Sequence, residues 1–171
     1  MITQEELFRK VGARYTMFVQ LQINESDLAV IESCNTVVSD ELIFDLLVDG
    51  SSWREHLLAL FFICKRNISV FYEPLFDGLR NPRGISIVPI CSVITLCIKE
   101  ADCAYDEALI SDLDRNVFDG AIRFGLDKMK YHIGLSKEEI KGCDPNHGHN
   151  FEEFYEFYRD LYVRNNNDNR C

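Results

Sequence analysis

The chain has 171 residues, 47% of them hydrophobic, enough to bury a full core as one domain. A formal net charge of -10 disfavours binding to phosphate backbones and favours encounter with basic proteins, although the same charge also serves plain solubility. No secretory leader and no membrane anchor is expected, and seven cysteines, three of them set among core aliphatics, suit a reducing cytoplasm better than a disulfide scaffold.

Thr3 to Glu6 reads as a capping box, in which hydroxyl and carboxylate exchange backbone N–H groups. Leu7, Phe8, Val11, Tyr15, Phe18 and Val19 follow at helical spacing, which predicts one helix running through Gly12. Ser26 and Asp27 open a short amphipathic piece with Leu28, Val30 and Ile31, and Asn35 to Val38 is a break. Ser39 caps a helix from Asp40 to Val48, with Gly50 expected in the left-handed conformation beyond its end. Residues 1–51 are thus an N-terminal helical cap.

Residues 52–134 read as helical hairpins repeating every 30 to 35 residues or so. Ser52 and Glu55 form a second capping box, behind which Trp53, Leu57, Leu60, Phe61 and Cys64 share a face. A helix from Ser69 to Leu79 turns Val70, Tyr72, Leu75, Phe76 and Leu79 inward, with Pro74 shifting its start or kinking it. Asn81 and Pro82 restart the pattern as cap and first helical residue. The run from Ile85 to Ile98 is apolar almost all round. Its β-branched residues also fit a buried strand, but length and helical flanks favour a buried helix, bent at Pro89. A helix from Ala101 to Asp114 carries Tyr105, Ala108, Leu109 and Leu113 inward and an acidic outer face; another from Val117 to Ile133 ends at Gly134. Hairpins therefore start near Ser52, Pro82 and Val117.

Residues 135–171 form a C-terminal loop and an aromatic helix. Ser136 to Glu139 is a third box, opening a short helix, and Asn150 to Glu153 a fourth. The last helix, to Arg164, bears Phe151, Phe154, Tyr155, Tyr158, Leu161 and Tyr162. Such a face is core, or, where rings stay exposed, a docking surface for a partner or a homodimer.

Three constellations bear on chemistry. Cys143, His147 and His149 have metal-binding side chains, but no CxxC accompanies them, and a solvated turn is the plainer reading. His56, beside an apolar face, reads as structural instead of catalytic. No Gly-x-Ser-x-Gly elbow, P-loop or GxGxxG occurs. The third is acidic: Asp102, Asp106, Glu107, Asp112 and Asp114 crowd one segment, with Asp119 beyond, and Glu73 and Asp77 lie four apart on an earlier helix. Stacked hairpins would gather Glu73, Asp77, Asp106 and Asp112 into one negative band, with Tyr72 and Tyr105 as aromatic anchors for a protein partner. An ordinary solvated face with core tyrosines is the alternative.

The stretch Trp53-Arg54-Glu55-His56-Leu57-Leu58-Ala59-Leu60, the helices to Arg80 and the Asn81-Pro82 restart resemble HEAT-like helical hairpins over about half the chain, without the Asp/Arg ladder of those proteins. That resemblance implies an all-α fold, a single-domain, short right-handed stack of antiparallel hairpins (a HEAT-like α-solenoid). The spine is also similar to small acidic bacterial immunity proteins of polymorphic-toxin systems. This implies a non-catalytic cytoplasmic module that needs no cofactor and blocks a basic, nuclease-type toxin domain; no site residues carry over from the family. Two other readings stand beside it: a HEAT-like scaffold or regulator of an ordinary protein partner, and a metal-dependent enzyme using Cys143, His147 and His149.

Overall fold

The structure, a computed structural model, describes residues 1–81, 83–115 and 120–168; the expectations for Pro82, Val117 and Asp119 lie outside the described residues, as do the side chains of Asp112 and Asp114. All regular structure among the described residues is helical, and none of these helices is long and apolar enough to cross a membrane.

Helix α1 (Gln4–Val11) begins on the expected box: the Thr3 hydroxyl accepts the Glu6 N–H and the Glu6 carboxylate accepts the Thr3 N–H. It does not run through Gly12. That residue adopts a φ of 59°, donates to the Phe8 carbonyl and ends the helix, so the rest of the apolar stripe continues as a 3-10 turn over Arg14–Phe18. Helix α2 (Glu25–Glu32) starts ahead of Ser26, because the Asn24 side chain caps it through the Asp27 N–H. Helix α3 (Asp40–Val48) has its Ser39 cap as expected. Gly50 is not left-handed; a Cβ there would lie 2.2 Å from the Leu46 carbonyl oxygen, which requires glycine for a different reason.

Helix α4 (Trp53–Cys64) is buried from Glu55 to Cys64, not on one face only. The Glu55 carboxylate takes the Ser52 N–H and hydroxyl, and Gln4 of α1 at 3.0 Å, so the box also ties the first helix to the core. At the other end Arg66 holds the break after α2. Its guanidinium donates to the Asn35 and Val38 carbonyls and to the side chains of Asn35 and Asp40.

A 3-10 turn, Ile68–Phe71, leads into α5 (Tyr72–Arg80). Val70 falls on that turn and is 61% exposed instead of facing inward. Asn81 closes α5 and does not cap the next helix; after a second 3-10 turn, Gly84–Ser86, helix α6 spans Ile87–Glu100. Pro74 and Pro89 both sit in a first turn, where a missing N–H costs nothing, so neither needs to kink its helix. The Ile85–Ile98 run is helical from Ile87, and α6 is buried from Ile87 through Cys97.

Residues 101–106 are not helical. Helix α7 (Glu107–Arg115) starts later than expected and buries Ile110 and Leu113, leaving Ala108 exposed. Helix α8 (Gly120–His132) ends with Gly134 at a φ of 81°, as expected. Ser136 to Glu139 forms a side-chain turn, Ser136 Oγ accepting from the Glu138 N–H, and no helix. Helix α9 (Phe151–Asp168) is longer than expected.

Consecutive helices pair as α3 with α4, α5 with α6, and α7 with α8, one helix out of step with starts at Ser52, Pro82 and Val117. In addition α3 packs on α5 and α5 on α7, while α4 packs on α6 and α6 on α8; α9 lies across α6 and α4. The aromatic face of α9 is core, with Phe151, Phe154, Tyr155 and Tyr158 buried. At its start, Lys128 of α8, 2% exposed, reaches Glu152 at 2.6 Å.

Glycine sets two of these approaches. A Cβ on Gly78 of α5 would lie 3.1 Å from Leu47 of α3, and one on Gly125 of α8 would lie 2.8 Å from the Cys91 sulfur of α6. Overpacking of this kind costs about 1 to 3 kcal/mol, more than the gain in helix propensity of about 1 kcal/mol. Gly125→Ala should therefore lower the urea midpoint, and adding Cys91→Ala should recover part of the loss. Additive effects of the two substitutions would show that the contact does not govern the approach.

Candidate partner-binding groove

Helices α5 and α7 leave a surface groove of about 570 Å3 where the Ile68–Phe71 turn meets the non-helical segment before α7. Tyr72 and Glu73 enter it from α5, Cys103, Tyr105 and Asp106 from the segment, and Glu107 from the first residue of α7. Four of the six residues expected to bind a partner, Tyr72, Glu73, Tyr105 and Asp106, are thus brought together. Among the described residues, every charged side chain lining the groove is a carboxylate.

The members differ in freedom. Glu73 and Glu107 are exposed. Asp106 is engaged locally, its carboxylate accepting the Ala108 and Leu109 N–H groups at 2.8 and 3.2 Å as the cap of α7. Tyr72 is half-buried with its hydroxyl against the Asp106 backbone; burial pushes that hydroxyl up to about 12, so it stays protonated. Its ring meets Phe76 edge-on, with centroids 5.3 Å apart, which fixes its direction.

Asp77 does not line the groove; it pairs with Arg80 on the same helix. Asp112 belongs to α7, but its side chain is outside the described residues. Cys103 and Glu107 line the groove without having been singled out as binding residues. The spacing of six between Cys97 and Cys103 is the signal that was there to read, since it matches a helix-end turn.

A larger cleft of about 690 Å3 lies beside the Arg14–Phe18 turn, but its charges are matched, Arg14 meeting Asp27 at 3.0 Å. It has no field of one sign to offer a partner.

No family model matches this chain, and neither a curated protein nor a solved structure matches it.

The other constellations hold the fold. Among the described residues no three His, Cys, Asp or Glu side chains gather as metal ligands do. Cys143 is exposed, whereas His149 is 5% exposed, its ring tilted against Phe154 with centroids 4.9 Å apart and set against the Val19 backbone. The loop that joins them is not simply solvated. Asp144, 2% exposed, accepts N–H groups from Asn146, His147 and His149 at 2.9 to 3.0 Å, and these bonds hold its carboxyl below the usual range despite burial.

His56 is buried in α4, its Nδ1 2.7 Å from the Ser86 hydroxyl and its ring also bonded to the Leu47 backbone. It joins α3, α4 and the entry to α6, in a place no substrate reaches.

Burial lowers the His56 pKa from 6.5 to about 4, with Arg83 adding to the effect. The folded state therefore binds fewer protons than the unfolded state between those values, and stability rises with pH there. Stability should be fully present above pH 6.5 and should fall as pH drops toward 4, by about 1.4 kcal/mol per unit within that window. Urea melts across this range should show the slope, and His56→Gln should flatten it; an unchanged slope in the variant would assign the effect elsewhere.

Proposed function

We propose that the chain is a non-catalytic binding module of the immunity-protein kind, a single-domain, short stack of helical hairpins that acts in the cytoplasm by covering a basic, nuclease-type toxin domain. The stack is supported by the contact pattern. First helices α3, α5 and α7 touch in series, second helices α4, α6 and α8 touch in series, and each first helix packs on its second. Two such layers are what side-by-side hairpins produce.

The observation that carries the reading is the groove between two first-layer helices, whose charged lining among the described residues is acidic and whose aromatic residues are Tyr72 and Tyr105. A lysine or arginine from a partner would meet Glu73 and Glu107 at the rim and a tyrosine face between them, a combination that suits cation–π and charge-assisted contacts. The net charge of the chain would speed the encounter.

The test pairs the chain with the purified product of the neighbouring gene. Affinity should fall as salt rises. Glu73→Lys with Glu107→Lys should weaken binding about tenfold or more, as should Tyr105→Ala. Asp106 is left intact because reversal there would also uncap α7. A control, Glu138→Lys with Glu139→Lys, makes the same change in net charge on an exposed loop and should have little effect. Equal losses from both pairs would reduce the groove to general charge. A neighbouring product that binds but has no toxicity would favour a scaffold or regulator.

A further inference from the structure

The way α6 ends places two thiols together. Ala101 closes the helix and Asp102 takes a φ of 53°, the left-handed conformation that aspartate tolerates better than most residues. The Cys103 N–H then turns back to the Cys97 carbonyl at 3.1 Å. This bond is one residue wider than the six-to-one bond of a Schellman turn, but like that turn it brings the side chain past the cap back to the last turn of the helix, beside the residue three before the helix end. Here those side chains are Cys103 and Cys97, and the two thiols act on one another across the turn.

The two thiols differ in access. Cys97 is buried, its sulfur within 3.7 Å of the Ile68 carbonyl. Cys103 is half-exposed and lines the groove between α5 and α7. The geometry points to a modification site: Cys103 is a peroxide-reactive thiol, and Cys97 is the resolving thiol that closes a reversible disulfide with it. This holds whatever the groove binds.

The chemistry balances in two steps. The Cys103 thiolate attacks one oxygen of hydrogen peroxide; an S–O bond forms, the O–O bond breaks, and hydroxide leaves to become water. Sulfur is oxidised by two electrons and the peroxide is reduced. The Cys97 sulfur then attacks the Cys103 sulfenic sulfur; the S–S bond forms, the S–O bond breaks, and the departing hydroxide takes the Cys97 proton as a second water.

The neighbouring Cys97 thiol lowers the Cys103 pKa to about 7, so a thiolate is present at neutral pH even though Asp102 opposes it. The oxidant is set by the surroundings. Glu73, Asp106 and Glu107 line the approach, so a small neutral peroxide is admitted and an anionic disulfide such as oxidised glutathione is repelled.

The test treats the reduced full chain with near-stoichiometric hydrogen peroxide, followed by mass spectrometry of the intact protein and of its peptides. The expected result is loss of two hydrogens and a peptide joining Cys97 to Cys103, both reversed by dithiothreitol. In Cys97→Ser, dimedone should trap a sulfenic acid on Cys103. In Cys103→Ser, the loss should not occur. Iodoacetamide at neutral pH should label Cys103 about tenfold faster than the exposed Cys143. Oxidation of Cys143 ahead of Cys103, or overoxidation of Cys103 as fast in wild type as in Cys97→Ser, would overturn the proposal. If Cys97→Ser fails to fold, the wild-type peptide map and Cys103→Ser decide it.

Discussion

Two helices without a polar face govern this structure. From Glu55 to Cys64 and from Ile87 to Cys97 no residue is more than marginally exposed, so α4 and α6 must be surrounded on every side. Apolar surface that stays wet costs about 25 cal/mol per Å2, and these two stretches leave almost none. The other helices occupy the sides that remain: α3 on α4, α5 and α8 on α6, and α9 across both. The buried polar side chains of α4 and α6 themselves are matched one by one, although the Tyr158 hydroxyl of α9 is buried without a partner. His56 meets Ser86, Glu55 takes its donors from Ser52 and Gln4, and Ser92 and Thr95 turn back to carbonyls of their own helix. The core is therefore central, and whatever the protein recognises is left to the first-layer helices and the segments between them.

That division explains why charge collects where it does. The inner helices contribute few ionisable groups, so most of the acidic surplus falls on outer elements and connections. Among the described residues no basic side chain joins the lining of the α5–α7 groove, whereas at the larger cleft an arginine does. Two surfaces of comparable size thus differ in field because of which residues end each helix, not because of shape.

Sequence patterns revealed the local features and missed those set by tertiary contact. The caps at Thr3, Ser39 and Ser52 were legible because each rests on a bond between residues three apart in the chain. The same pattern at Ser136 opened no helix: Leu135 is 53% exposed, and no buried stripe follows to stabilise one. Val70 matched the helical spacing of its neighbours but lies on a tighter turn that aims it at solvent. Asp102 ends α6 where glycine would ordinarily announce the stop, which moved the start of α7. The acidic groove was half legible. The residues were recognised by type, but Asp77 was lost to Arg80 and Cys103 was found only from the fold.

The Cys143 to Asn150 loop has the composition of a connector and the wiring of a rivet. One buried carboxylate gathers its backbone, Pro145 lies against Gly120, His147 against Gly84, and His149 reaches the Val19 backbone. The starts of α6 and α8 and the N-terminal turn are therefore fastened through a stretch that has no regular structure of its own. A circular permutant or an inserted domain would find its natural opening at Lys137 to Glu139, where side chains face water, and would unpin three elements at once if placed eight residues further on.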